Sequence, residues 1–573
     1  MTARGLRPAP SIPASPDLIH TQRSMSEPVT PVVPTGHVDT FARDSLPPCA
    51  LWPVLDLSGV PHLAARPRIN AAAELLDATA AAGHADRPAL LAPGVRWTYA
   101  ELTERANRIA RVLRDEMGLV PGNRVLLRGY NGPWMFAAWF GVLKAGGIVV
   151  ATMPLLRARE LSAIIDKARV RFALCDARLG EALDEAAAAS PSLERTVAFG
   201  SEAEGSLDRL ATRQPASFAN ADTAADDVAI IAFTSGTTGT PKGTMHFHRD
   251  LLASADTFGA HVLRPEPDDV FCGSPPLAFT FGLGGYALFP MRVGAATLML
   301  EQASPPQLLQ GIQDHRATVV FTAPTAYRAM AGLAKDFDLS SLRKCVSAGE
   351  TLPAATFEAW RAATGLKIID GIGSTEMLHI FISSQGDEIR AGSTGRVVPG
   401  YRARVVDDGG REVPVGEVGR LMVQGPTGCR YLADEDRQRG YVQDGWNVTG
   451  DTYRMDADGY FWYQARNDDM IISSGYNIAG PEVENCLLEH PAVLECAVVA
   501  APDEERGNVV KAFIVLREGT PASDETVKAL QDFAKSRIAP YKYPRRIEFV
   551  DALPRTQTGK LQRFRLREQE VLP

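Results

Sequence analysis

Apolar residues along this chain fall into short blocks of two kinds, and the two kinds alternate. In "RWTYAELTERANRIARVLRDEM" (Arg96–Met117) they recur at helical spacing while charges fill the other face, which predicts an amphipathic helix. "NRVLLRGYN" (Asn123–Asn131) follows as a short apolar run and predicts a strand. "PWMFAAWFGVLKAGGIVVATM" then reads as helix, glycine stop and strand, and "RELSAIIDKARVRFALCD" and "PPQLLQGIQDHRATVVFTAP" repeat the alternation. Strands alternating with helices predict parallel sheets with helices on both faces.

Past Gly395 the texture changes. "GRVVPGYRARVVDDGGREVPVGEVGRLMVQGP" has short alternating runs and turn glycines, which predict a small β region. The last hundred or so residues read as a separate α+β unit: "PEVENCLLEHPAVLECAVVAAPD" is helix then strand, "NVVKAFIVL" a strand and "SDETVKALQDFAKSRI" a helix. The fold class is therefore α/β. A large N-terminal domain (37–466) has parallel-rich αβ sheets plus a small β region, and a small α+β C-terminal domain (467–573) follows. A length of 573 residues agrees with more than one domain.

Composition narrows the class. Hydrophobic residues make up 45% and charged residues 22%, which places the chain among soluble globular proteins. A net charge of -8 argues against a partner that needs broad phosphate neutralisation, so no nucleic acid is expected. The seven cysteines lie far apart with no metal-ligand spacing, which fits reduced thiols in a cytoplasmic protein. Residues 1–36 are rich in proline and serine, predict disorder and hold Met25 as an alternative start. They contain no continuous apolar core of a secretory signal, and no apolar run is long enough for a membrane span.

One stretch has no use in a core. "TSGTTGTPKG" (Thr234–Gly243) leaves the end of "DDVAIIAF", an apolar run suited to a buried strand. Its glycines let backbone N–H groups turn inward into an anion nest; hydroxyls add donors, and Lys242 adds charge. That set suits a polyphosphate. It is not the Walker arrangement, because the lysine lies between proline and glycine.

This loop resembles the phosphate-binding loop of the adenylate-forming enzymes: acyl-CoA synthetases, peptide-synthetase adenylation domains and luciferases. Four more stretches resemble that family's motifs, in order: "DGIGSTE" (Asp370–Glu376), "NVTGDTY" (Asn447–Tyr453), "YQARNDDMIISSGYNI" (Tyr463–Ile478) and "PRTQTGKLQR" (Pro554–Arg563). The resemblance implies that a carboxylate attacks the α-phosphate of ATP, pyrophosphate leaves, and a thiol then takes the acyl group from AMP. It implies a nucleotide site from Thr234, Ser235, Gly236, Thr237, Thr238, Gly239 and Lys242 in the loop, with Gly349, Glu350, Asp370, Gly371 and Ile372. Asp451 and Arg466 would hold the ribose, Thr375 the α-phosphate and Glu376 the Mg2+ ion. Lys560 would bridge carboxylate and α-phosphate as the catalytic lysine. Asp468 would be the hinge, and Gly475 would line the pantetheine tunnel when the C-terminal domain swings. Read bare, Glu376 is a solvated loop carboxylate, Asp451 a turn residue and Lys560 a surface charge; the surrounding motifs lift each of them.

Two departures bear on the acid. Ile372 stands where many relatives stack a tyrosine on adenine, and Phe279 stands where many acyl-CoA synthetases have a histidine. Both features, with "DGIGSTEMLHIF", resemble the benzoate and 2-aminobenzoate CoA ligases. By that resemblance Phe279, Thr280, Phe281, Gly282, His379 and Ile380 form a flat slot for a small aromatic carboxylic acid. His379 reads equally as a ligand group and as a structural histidine. CoA is the implied acceptor, with Lys542, Arg545 and Arg546 as candidate phosphate contacts. Rival readings are an enzyme that loads a carrier protein and a silent nucleotide-binding homologue. The chain is expected to act as a monomer or homodimer.

Overall fold

The computed structural model describes residues 33–234, 241–466, 469–473, 476–503, 507–538, 541–555 and 561–571. Strand Arg124–Arg128 shows how the body is layered. All five of its residues are buried. Val125 and Leu127 enter one core together with the helix Pro133–Lys144, and Leu126 enters a second with the helix Ala158–Ala168. A strand covered on both faces needs the continuous apolar run that the sequence provides.

Two large sheets result. The six-stranded one runs in the order Arg195–Phe199, Phe172–Asp176, Arg124–Arg128, Ile148–Thr152, Val228–Thr234 and Lys242–Phe247, all parallel except the last pair. The nine-stranded sheet has six parallel strands: Ile368–Gly373, Lys344–Ser347, Val319–Thr322, Val270–Gly273, Ala296–Leu298 and Pro88–Ala92. Antiparallel strands close it on both sides. The core helix Pro133–Lys144 is apolar nearly all round, because it is covered on every side.

The helix predicted from Arg96 begins instead at Tyr99. Val95–Thr98 pairs with Pro88–Ala92 as a strand. Thr98 caps the helix: its Oγ1 accepts from Glu101 N at 3.2 Å, and Glu101 Oε2 accepts from Thr98 N at 2.8 Å. Of the expected tail, residues 33–36 are among those described. Gly36 N donates to Asp227 Oδ2 at 2.8 Å, and Thr35 Oγ1 to Asp227 Oδ1 at 2.5 Å.

Past Arg396–Val397 the chain forms a five-stranded antiparallel sheet whose last strand is Phe461–Arg466. A hairpin of Met470–Ser473 with Tyr476–Ala479 follows. Then comes a three-stranded sheet (Val493–Asp503, Gly507–Leu516, Arg546–Phe549) with helices Gly480–Leu488 and Asp524–Arg537. This unit has its own core around Val483, Leu487, Val498 and Ile514. No helix among the described residues is long and apolar enough to cross a membrane.

Candidate active site

Thr234 ends one strand and Lys242 begins the next, and the two residues are paired in antiparallel register. The glycine-rich stretch therefore connects two paired strands, with Lys242 at the start of the second. Ser235, Gly236, Thr237, Thr238 and Gly239 lie outside the described residues.

Beside these strands lies the turn Ser374–Leu378. His246, on the strand Lys242–Phe247, has no exposed surface, and its Nε2 donates to the Thr375 carbonyl at 2.7 Å. Tyr431 OH donates to Glu376 Oε1 at 2.7 Å. Burial first, then the neighbouring Glu376, holds the Tyr431 phenol far above its usual value, so it keeps the proton it donates. Glu376 itself is half-buried, with Oε2 as the oxygen it can offer a cation. Among the described residues no cluster of three or more His, Cys, Asp or Glu could hold a metal. One carboxylate suits Mg2+ carried by a nucleotide, since that ion keeps waters and takes phosphate oxygens rather than an all-protein cage.

Asp451 and Arg466 sit opposite each other on paired strands, with Arg466 Nη1 3.7 Å from Asp451 Oδ1. Gly450, at φ +77°, leaves the space this guanidinium fills: a Cβ there would lie 3.1 Å from Arg466 Nη2. Gly371 and Ile372 follow Asp370 on strand Ile368–Gly373. Desolvation raises the Asp370 carboxyl well above its usual value, and its Oδ1 is buried without a hydrogen-bond partner among the described residues. Gly349 takes φ +89°, a conformation glycine adopts freely. Glu350 Oε1 accepts from Arg555 Nη1 at 3.3 Å, so the segment leading to Lys560 reaches the large body. Lys560, Asp468 and Gly475 lie outside the described residues. Of the basic residues expected near CoA, Lys542 pairs with Glu482 at 2.6 Å, and Arg546 stands 3.8 Å from Asp503.

The residues expected to form the acid slot are placed as follows. His379 and Ile380 are buried, at 3% and 2% exposure. Phe281, on the short helix Thr280–Leu283, lies 5.8 Å from the His379 ring. Gly282 is pressed on the Pro276 carbonyl, where a Cβ would come within 2.1 Å. Phe279 precedes that helix and enters no ring pair among the described residues. The aromatic surround comes instead from Phe289 at 4.7 Å, Phe258 at 5.5 Å and Phe321 at 6.4 Å from His379. These three phenylalanines read as core in the sequence, and no local signal separates them from it. Gly284 makes the room, because a Cβ there would lie 2.3 Å from His379 Nε2. Both imidazole nitrogens are buried without a well-formed hydrogen bond among the described residues, and the Phe281 backbone interacts with the ring too weakly to offset its burial. Burial pushes the imidazole down to about 3, so it is neutral near pH 7 and can donate from one nitrogen and accept at the other.

Comparison with known proteins agrees with this assembly. Residues 77–431 match the AMP-binding enzyme family, and residues 482–560 match the AMP-binding enzyme C-terminal domain. A benzoate–CoA ligase of Thauera aromatica is 37% identical over 521 residues, 90% of this chain and 99% of that one. The crystal structure of the anthranilate CoA ligase AuaEII with anthranoyl-AMP superposes with a TM-score of 0.83 at 37% identity, covering 88% of this chain and 97% of that one. A benzoate CoA ligase from Burkholderia xenovorans LB400 gives 0.79 at 34% identity, covering 87% and 100%. Adenylate-forming CoA ligases use ATP, Mg2+ and CoA. Paired strands joined by the glycine-rich stretch, a carboxylate turn beside them, a paired Asp–Arg and a matching C-terminal unit thus have one explanation: the chain belongs to the AMP-binding, adenylate-forming enzyme family and is an AMP-forming acid–thiol ligase resembling the benzoate and 2-aminobenzoate CoA ligases.

Proposed function

We propose that this chain joins benzoate or 2-aminobenzoate to coenzyme A. The observation that carries the reading is His379: a neutral imidazole inside four phenylalanine rings, its ring nitrogens without a well-formed hydrogen bond among the described residues. A planar aromatic acid satisfies both parts of that site, with its ring against the phenylalanines and a carboxylate or ortho amino group on the imidazole. A saturated chain would lack the ring contact with the phenylalanines and the ortho amino group.

In the first half-reaction a carboxylate oxygen attacks the α-phosphorus of ATP and the bond to pyrophosphate breaks. The glycine-rich stretch and Lys242 hold the phosphates, and Asp451 with Arg466 hold the ribose. Glu376 would hold Mg2+, which when bound draws charge off the phosphate oxygens. Lys560 orients two anions that repel each other. In the second half-reaction the CoA sulfur, having lost its proton to solvent, attacks the acyl carbon, and the bond to AMP breaks. Asp468 acts as the hinge between the two steps, and residues 467–573 move as the domain that carries Lys560 and Gly475. The enzyme acts in the cytoplasm, as a monomer or homodimer.

The test is AMP formation from ATP, Mg2+ and CoA across benzoate, 2-aminobenzoate, hydroxybenzoates, cinnamate and a medium-chain fatty acid. A CoA-dependent signal with one or two benzoates is expected, falling ~10²–10³-fold in Lys560→Ala. A stronger signal with the fatty acid overturns the aromatic reading. Transfer only to a holo-carrier protein overturns CoA as acceptor.

A further inference from the structure

The turn that bears Glu376 is bent against the preference of its residues. Leu378 takes φ +70°, in the left-handed region that bulky side chains avoid. Such a conformation persists only where surrounding groups hold it. Three side chains from outside the turn do so. His246 Nε2 donates to the Thr375 carbonyl at 2.7 Å, Thr427 Oγ1 donates to the Met377 carbonyl at 2.8 Å, and Tyr431 OH donates to Glu376 Oε1 at 2.7 Å. The Thr375 carbonyl also accepts from Leu378 N at 3.2 Å, so His246 grips the same peptide oxygen that closes the strained turn.

The holders come from two segments locked side by side. His246 lies on the strand that leaves the phosphate-type loop. Thr427 and Tyr431 lie on the stretch beside it: Met245 N donates to the Arg430 carbonyl and Leu432 N to the Gly243 carbonyl, each at 2.8 Å. Beneath them Arg430 and Asp250 form an ion pair with no exposed side-chain surface. Asp250 Oδ2 also accepts from Phe247 N at 3.0 Å. The frame is continuous from the loop to the carboxylate.

We propose that His246 and Tyr431 are positioning residues that set the Thr375 peptide and the Glu376 carboxylate relative to the phosphate loop, so that Glu376 meets the magnesium–nucleotide in one orientation. This rests on the reading of Glu376 as the metal carboxylate. Tyr431 occupies one carboxylate oxygen and thereby restrains rotation of the carboxylate. Partners of this kind, one shell out from a metal ligand, typically change metal affinity or activity 10–100-fold when removed.

The test uses the full-length protein and two readouts. The first is calorimetric binding of ATP with Mg2+ and with EDTA; the second is pyrophosphate exchange against Mg2+ concentration. Tyr431→Phe loses only a hydroxyl. The expected result is about a 10-fold rise in the half-saturating Mg2+ and a matching loss of Mg2+-dependent ATP affinity. Binding in EDTA and the unfolding midpoint should stay within error. His246→Gln keeps an N–H near the position of Nε2 and should retain most of the Mg2+ response, whereas His246→Leu should lose it. An unchanged Mg2+ response in Tyr431→Phe, or equal behaviour of His246→Gln and His246→Leu, overturns the proposal. If the unsubstituted protein forms no AMP from any acid, the proposed function fails, yet the calorimetric comparison still decides the frame. ATP binding indifferent to Mg2+ in the unsubstituted protein overturns the role of Glu376, and this proposal with it.

Discussion

Around the Glu376 turn the holding groups are buried: His246, Asp250 and Arg430 expose none of their side-chain surface. Where the C-terminal unit meets the large body, two of the contacts are ion pairs partly open to water. Arg555 and Glu350 are 27% and 17% exposed, and Arg328 and Glu495, 3.9 Å apart, are 31% each. Arg555 Nη2 also reaches Glu495 at 2.9 Å, so the four charges form one chain across the boundary. Charges buried together are costly to separate, because each would be left without water or partner. Partly exposed pairs are screened and cheap to break. One region is therefore built to stay assembled, and the other can let go, as the proposed swing of the C-terminal unit between two half-reactions would require.

The strongest way to break this contrast is Asp250→Ala. It leaves Arg430 buried without its carboxylate and should lower unfolding free energy by about 3–5 kcal/mol, read from urea denaturation. A loss below ~1 kcal/mol would put the buried frame on the same footing as the exposed boundary.

Acid sharpens the contrast next. His379 and His248 are both held down at about 3 by burial, from an ordinary 6.5. Between those values the unfolded chain binds protons that the folded chain refuses, so stability falls as pH drops below 6.5. The slope is about 1.4 kcal/mol per pH unit for each histidine, and above pH 6.5 neither contributes. Urea midpoints from pH 7 to pH 4.5 should show His379→Phe losing less stability than the unsubstituted protein by one histidine's share. Parallel curves would mean that His379 is reached by water.

The smallest effect belongs to the boundary. Glu495→Gln should change global stability by less than ~1 kcal/mol. It should nonetheless slow pyrophosphate exchange relative to thioester formation from preformed acyl adenylate, if the Arg555–Glu350 side of the boundary belongs to the adenylate-forming orientation. An equal change in both half-reactions would make the ion pairs bystanders.

Legibility followed distance along the chain. The alternation of strand and helix could be read because periodicity is local, and so could the loop Thr234–Gly243, whose composition serves no core. Even there, the local pattern placed the start of the helix at Arg96, although Val95–Thr98 is claimed by pairing with Pro88–Ala92. Phe279 was expected at the acid slot on motif position, while Phe258, Phe289 and Phe321 surround His379 from separate elements. Nothing near Tyr431 in sequence announces Glu376, which lies 55 positions away.

The order and type of the elements, the phosphate-type loop and the five family motifs are properties of short segments. Short segments carry their own hydrophobic period, turn residues and donors, so these features are present in the linear chain. Which buried polar groups meet is a property of long-range packing. His246 reaches Thr375 over 129 positions and Arg430 reaches Asp250 over 180, and such pairs exist only once two sheets and their connecting segments have closed on each other. The neutral imidazole of His379 likewise owes its state to burial, which no residue imposes on itself.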